Sequence, residues 1–561
     1  MNNEIYKVCF ILIYIHINVP ITIQESVDVK VKGSIFIGKQ LFSVFQNKPY
    51  SAFWKIPYAK EPLRELRFKP PELNKLRNET FDYSNCRKDT CRCYEEDCLH
   101  LSIFMPFLYN QTRSIPVVVW LGGTSKSLRP DFFIEEEVVV VTVSYRKGIF
   151  GFLNTGDEFA EGNMGAKDTV VALKWINSYI GSFHGDPNRV TVVGVRKAAT
   201  IVASLLLTSV ADGLFKRVII MSGSALSPSD YRNYNFEVTN KLYWNLNGTL
   251  DKLNRTKLYE MLKNYTTTEI YLASRDIFDS TDVRDNQRLI NAFSLSVESS
   301  KDAFMKRPPW EVYKSRLTNN NIDVLMGYTS LESLYKLNGF ADNKNLLMYL
   351  NYNFQYLLPF EGIKDEYGSK RYRKIRKKIM DFYFINGTIG VRSLRRYAKY
   401  VSDQVIYPLV RQARLHAEVS CRNVYLYRFS FKGLFNMGWD SSVPYLNWSG
   451  ATAGDEICYL FKCKSVYVDY NNADASIEGQ FIKKFLRLLT NFAKSGDPTP
   501  TTMDNILGDL KWEPLRSDKS LRAMNLSRKL KMVDVPEGKR VKFWDELKSE
   551  FFAEQVYKEE F

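Results

Sequence analysis

Several segments of this chain are apolar at nearly every position. Pro116–Leu121 reads PVVVWL and Val138–Tyr145 reads VVVVTVSY; shorter runs follow at Val190–Val193, Val218–Met221, Asp323–Met326 and Val424–Phe429. A strand points successive side chains to opposite faces, so such runs need cover on both faces. Helical stretches near Asp168–Tyr179 and Ala198–Leu207 lie between them. Both-face strands separated by helices predict an α/β fold: a large, mostly parallel central sheet with helices on both faces. The chain has 561 residues, 45% hydrophobic and 25% charged, enough to bury a large core. No repeat or Pro/Gly/Ser-rich linker divides it, so residues 23–561 read as a single domain.

Residues Val190–Thr200 read VTVVGVRKAAT, a strand, a tight turn and the start of an apolar helix. A turn of this kind lifts a nucleophilic serine above a sheet when it carries G-x-S-x-G. Here the five positions are Gly194, Val195, Arg196, Lys197 and Ala198. A guanidinium stays protonated and is no nucleophile. Ala198 and the bulk of Arg196 predict that the turn is relaxed or repacked.

Further landmarks are FWKIPYA at Phe53–Ala59, LRFKPP at Leu66–Pro71, EDCLHL at Glu96–Leu101 and GIFGFL at Gly148–Leu153. GNMG at Gly162–Gly165, FHGDPNRVT at Phe183–Thr191, SGSA at Ser222–Ala225 and Phe543-Trp544 complete the series. On these, from about Val29 to about Leu547, the chain resembles the type-B carboxylesterase/cholinesterase family of α/β-hydrolases. The resemblance implies the α/β-hydrolase fold and a serine–histidine–carboxylate triad with an oxyanion hole. Carried over by position, Arg196 takes the serine's place. The G-x-x-H-G-D-E segment reads Gly450–Glu456 here, and Ala453 takes the histidine's place. Gly327–Ser333 resembles the loop carrying the acid, which implies Glu332. The H-G-G-G run reads WLGGTS at Trp120–Ser125 and keeps Gly122 and Gly123. His184 falls at the far end of the elbow strand, and His416 reads as a structural histidine. Removing both partners of proton transfer predicts loss of triad hydrolysis. We expect Arg196 to point into a partly buried pocket and bridge to Glu332; the alternative is that it snorkels to solvent. The segment Cys86–Glu95, where cholinesterases carry a choline-binding tryptophan, has none.

The N-terminus, with Lys7 before the apolar run Val8–Ile15, reads as a signal peptide over residues 1–22. No later segment is apolar enough to cross a membrane. Eight N-x-S/T sequons begin at Asn78, Asn110, Asn247, Asn254, Asn264, Asn386, Asn447 and Asn525. A secreted, extracellular glycoprotein is the expectation. Cys9 would leave with the signal peptide. Cys86, Cys91, Cys93, Cys98, Cys421, Cys458 and Cys463 remain as disulfide candidates, an odd number that leaves one thiol over. The resemblance implies that Cys98 pairs with Cys86, Cys91 or Cys93; Cys458 and Cys463 can pair with each other, or one can reach Cys421. A zinc site at Cys86–Cys98, near His100, is the poorer reading in an oxidising compartment. No metal or cofactor is implied.

The net charge is +16. Its densest cluster is Lys370, Arg371, Arg373, Lys374, Arg376, Lys377 and Lys378, with Tyr372, Ile375, Ile379 and Phe382 at helical spacing through it. A solvated helix face is the plain reading, and an anionic-partner patch the sharper one. Three functions fit. The first is a secreted, catalytically inactive interaction or extracellular binding module, as in the non-catalytic adhesion members of the family, whose partner is an extracellular protein or sulfated glycan. The second is a carrier of small apolar or ester-like ligands in the disused pocket. The third is a residual ester hydrolase with a displaced nucleophile, for which Ser125, Ser222 and Ser224 are the candidates. Nucleic acid does not fit a secreted chain.

Overall fold

The computed structural model describes residues 26–552 apart from 85–95, 109–111, 123–127, 229, 232–235, 276, 278–290, 335–343, 353, 355–368, 437–449, 464–469, 471–473, 502 and 517–519. The signal-peptide reading therefore lies outside the described residues.

The strands are β1 (Ser26–Val31), β2 (Ser34–Phe42), β3 (Pro49–Pro57), β4 (Thr80–Asp82), β5 (His100–Pro106), β6 (Ile115–Leu121), β7 (Leu128–Arg129) and β8 (Val139–Val143). They continue as β9 (Gly185–Val195), β10 (Arg217–Met221), β11 (Asp323–Thr329), β12 (Val424–Phe429), β13 (Lys462–Cys463), β14 (Arg522–Leu526) and β15 (Lys531–Asp534). Thirteen form one sheet in the order β1-β2-β3-β5-β8-β6-β9-β10-β11-β12-β14-β15, with β4 beside β2. From β8 through β14 every pairing is parallel. Antiparallel strands close both edges.

The uninterrupted apolar runs are explained by what each face meets. On β6, Ile115, Val117, Val119 and Leu121 enter one core with Trp175 and Leu205. Val118 and Trp120 enter the opposite core with Phe461, Phe485 and Phe492. On β12, Val424 and Leu426 face the first layer, while Tyr425, Tyr427 and Phe429 face the second. The helices Met164–Tyr179 and Lys197–Leu205 cover one side, and Ile477–Ser495 the other. A third core lies beyond Leu331 among the helices Lys370–Tyr383, Leu394–Val419 and Gly538–Phe552.

The Lys370–Tyr383 helix buries Tyr372, Ile375, Ile379, Met380 and Tyr383. Phe382 does not join that face: it is 41% exposed and stacks on Phe543 at 4.0 Å. Following Ile379, the 3.6-residue period puts Tyr383 rather than Phe382 inward.

Cys458 and Cys463 pair locally. Cys421, one of the disulfide candidates, is instead a free, exposed thiol. It follows the Leu394–Val419 helix, where its N–H bonds Asn320. Cys98 is disulfide-bonded, and Cys86, Cys91 and Cys93 lie outside the described residues. Asn78, Asn254, Asn264 and Asn386 are exposed and Asn247 half-buried. Asn525 sits half-buried on β14, accepting from Arg428 and Ser430. Asn110 and Asn447 lie outside the described residues. Among the described residues no helix is long and apolar enough to cross a membrane.

Candidate functional site

The carboxyl ends of parallel strands are where open α/β sheets gather ligands and chemistry. The ends of β6, β9 and β11 bring Gly122, Arg196 and Glu332 there, and the loop Gly450–Glu456 reaches the same place.

Arg196 joins β9 to the Lys197–Leu205 helix at φ 56° and ψ −120°. This is a strained conformation for any residue with a Cβ. The expected relaxation of the turn has not occurred. The neighbours allow the tight turn: a Cβ on Gly194 would lie 2.5 Å from the Ala198 carbonyl oxygen, and one on Gly223 2.6 Å from that of Arg196. Ala198, with its single methyl, is accommodated at 6% exposure.

The guanidinium of Arg196 does not reach Glu332. It donates to the carbonyl of Ala453 and lies across Gly454, where an added Cβ would meet its atoms at 3.1–3.5 Å. Arg196 is exposed, whereas Glu332 is 1% exposed, so the two sit at different depths, and the charge of Arg196 acts on the carboxyl from a distance. The snorkelling alternative is met in part: the residue is exposed, but its guanidinium is held on the Ala453 carbonyl.

Glu332 is held from below. Its Oε1 accepts from the Thr329 N–H at 2.7 Å and from Ser222 Oγ at 2.8 Å. Its Oε2 has no hydrogen-bond partner among the described residues. Burial lifts its pKa to about 7, against the pull of these two donors and the charge of Arg196. Glu456 is buried nearby, with Oε2 accepting from Gly454 N–H at 3.2 Å. Burial first, and then the charge of Glu332, lift it to about 8. Sequence reading treated Glu456 only as a motif flank; burial was the missing signal.

Ala453 is held by its N–H on the Glu332 carbonyl, 3.1 Å, and its loop Gly450–Glu456 contains no histidine. Asp455 fixes this loop through Thr452 N–H at 2.8 Å and the Asn436 amide at 2.8 Å. His416 is fully buried, and burial lowers its pKa to about 4. His100, likewise lowered to about 4, sits beside Asp97. His184 precedes β9, at the far end of the strand from Arg196.

Of the oxyanion remnant, Gly122 is already engaged: its N–H donates to Val143 at 2.9 Å, and its carbonyl accepts from Lys147 Nζ at 3.3 Å. Gly123 and Ser125 lie outside the described residues. Ser222 and Ser224 are buried, and each hydroxyl donates within the core, Ser222 to Glu332 and Ser224 to Gln412 at 2.7 Å, with the Pro408 carbonyl 3.0 Å away as a second acceptor for the same proton. Neither has a histidine as its bonded partner. Among the described residues no cluster of His, Cys, Asp and Glu is arranged to hold a metal.

Comparison with known proteins agrees with this geometry. The sequence pattern of the Carboxylesterase family matches residues 24–544. A protein named carboxylic ester hydrolase from Bombus ignitus is 26% identical over 89% of this chain and 90% of its own length. Juvenile hormone esterase of Tribolium castaneum is 26% identical over 84% and 83%. Carboxylesterase 5A of Felis catus is 28% identical over 82% and 84%. Among solved structures, juvenile hormone esterase from Manduca sexta, with OTFP covalently attached, superposes with a TM-score of 0.78. That match covers 94% of this chain and all of the other at 24% identity, a likeness of fold.

Proposed function

This chain belongs to the carboxylesterase family and has its α/β-hydrolase fold, and we propose that within that family it is a secreted, catalytically inactive protein that acts by binding. One observation carries the reading: the elbow backbone is kept at φ 56° and ψ −120° while the side chain on it is Arg196, with Ala453 where the base would stand. Ester hydrolysis by this route needs a hydroxyl to attack and an imidazole to take and return its proton. Neither group is at its station. Glu332 keeps its place but only orients an imidazole, and it is sealed beneath the surface. Ser222 and Ser224 offer no substitute, because each is a buried donor rather than an activated nucleophile.

The relatives carry esterase names, so the test is direct. The purified protein is exposed to a fluorophosphonate and weighed intact, with p-nitrophenyl ester turnover measured alongside. No adduct and no turnover is the expected result. A stoichiometric adduct overturns the proposal and identifies another activated residue.

A further inference from the structure

Helices ordinarily begin with acidic residues, because the N-terminal end of the helix dipole is positive. Phe236–Asn247, Thr267–Arg275 and Ile477–Ser495 follow that rule with Glu237, Glu269 and Glu478, whereas Met164–Tyr179, Lys197–Leu205 and Arg255–Asn264 have no acid in the first turn. Three helices around the third core each carry two adjacent cations there. Lys370–Tyr383 opens on Lys370 and Arg371, Leu394–Val419 on Arg395 and Arg396, and Gly538–Phe552 on Lys539 and Arg540. None has an acid in its first turn.

The arrangement is also self-repelling. Lys370 and Lys374, Arg373 and Lys377, and Lys374 and Lys378 are like charges four residues apart on one helix face. Lys377 finds Asp381 at 2.6 Å, and Lys378 finds Glu550. Lys370, Arg373 and Lys374 are exposed and make no ion pair among the described residues. At the start of the next helix, burial and then Arg540, Arg395 and Arg396 hold Lys399 below the usual lysine range, a sign of concentrated positive field.

The helices place these charges at two stations. The first is the N-terminal half of Lys370–Tyr383, beside the end of Gly538–Phe552, where Arg371 donates to the Phe551 carbonyl. The second lies near the other end of the same helix. There Trp544 bonds Tyr383 at 2.8 Å, and Arg540 pairs with Asp403 at 2.7 Å. The helix that carries the first station and ends at the second has 14 residues and is about 21 Å long. A single phosphate or carboxylate cannot span that distance, but an extended polyanion can.

We propose that these two basic stations form one binding track for a sulfated polysaccharide. The choice of polyanion follows from the balance of the surface. Tyr372, Tyr383, Tyr397 and Tyr400 are buried beneath the cations, while Phe382, 41% exposed and stacked on Phe543, and Val391, 52% exposed, stand among them. A single-stranded nucleic acid is gripped by a row of exposed aromatic platforms, and a bilayer by a patch of exposed apolar side chains. Here the cations outnumber both. The track uses neither Arg196 nor Ala453, so it goes beyond the proposed loss of catalysis and stands or falls separately from it.

The test uses the full-length protein and a heparin decasaccharide at physiological salt. Three variants are compared: Lys370→Glu/Arg373→Glu/Lys374→Glu at one station, Arg395→Glu/Arg396→Glu at the other, and Lys30→Glu/Lys529→Glu/Lys531→Glu as a control of equal charge change to the first. Each station variant is expected to weaken binding by about tenfold or more, and the control by less than about twofold. Without heparin, the first variant should melt no lower than the wild type, because repulsion at the helix start is relieved. The proposal fails if the control loses as much as the station variants, or if neither station variant loses affinity. Equal binding of desulfated heparin also overturns it, as does tighter binding of phosphatidylserine vesicles or single-stranded DNA at the same salt.

Discussion

Arg196, Ala453 and Glu332 show what one position can and cannot reveal. Fixed neighbours singled them out in the sequence, Gly194 before the turn, Gly454-Asp455-Glu456 after Ala453 and Gly327 before Glu332, and the structure brings the three together through the Ala453 backbone. The direction of the guanidinium was not legible. A bridge to Glu332 looked natural on paper, but the carboxyl is buried and the arginine stem leads outward to the Ala453 carbonyl. Burial depth and side-chain torsions have no local sequence signal. The proposed loss of catalysis assigns the nucleophile to position 196 and the base to position 453, so restoring both groups together should recover chemistry. Arg196→Ser/Ala453→His is expected to hydrolyse p-nitrophenyl acetate about 10³-fold faster than either single variant, since nucleophile and base act as a unit. Equal rates in the three variants would mean that the engaged Gly122 N–H has dismantled the oxyanion hole as well.

The central strands were read correctly because being apolar on both faces leaves no other placement for them. The edge strands were missed. β1 alternates exposed and half-buried positions and ends in a single buried residue, Val31, so its sequence SVDVKV gives little sign of a core. Phe382 was misplaced for a related reason: one residue's step around a helix separates the core from the surface. Pairing between strands adds constraints that no single element contains. Gly327 on β11 lies opposite Tyr427 on β12, and a Cβ on Gly327 would fall 1.9 Å from the tyrosine ring. That ring is fully buried and packs edge-on against Phe485 and Trp512, so it cannot swing aside. Gly327→Ala is therefore expected to destabilise the fold by about 3 kcal/mol, measured as a lower urea midpoint at unchanged slope. An alanine variant as stable as the wild type would show that the sheet can spread there.

At the scale of the molecule, four buried groups shape the response to pH. Glu332 and Glu456 hold protons up to about pH 7 and 8 when folded, against an ordinary carboxyl value of 4.5, so their stabilisation is complete below 4.5 and is lost as pH rises through 7 and 8. His100 and His416 work the other way: lowered to about 4 from 6.5, they favour the fold above 6.5 and lose that contribution as pH falls toward 4. Between 4.5 and 6.5 the two trends oppose each other; above 6.5 the carboxyls act until Lys548, lowered by burial to about 8, begins to oppose them as pH reaches 8. Stability should therefore decline from pH 6.5 to 8, and Glu456→Gln should remove about 2 kcal/mol of that decline, seen by calorimetry as a melting temperature less sensitive to pH. An unchanged pH profile in the glutamine variant would place the titration elsewhere.

The backbone at Arg196 bears on how such a chain changes over generations. A hydrolase is bound to its strained turn, because relaxing it lowers the hydroxyl out of reach of substrate. Torsions near +60° and −120° cost an ordinary residue about 1–3 kcal/mol and suit glycine. Once turnover no longer depends on that geometry, selection has no purchase on the strain. Position 196 is then open to drift toward glycine, and the fold gains stability by a step that an active relative could not take.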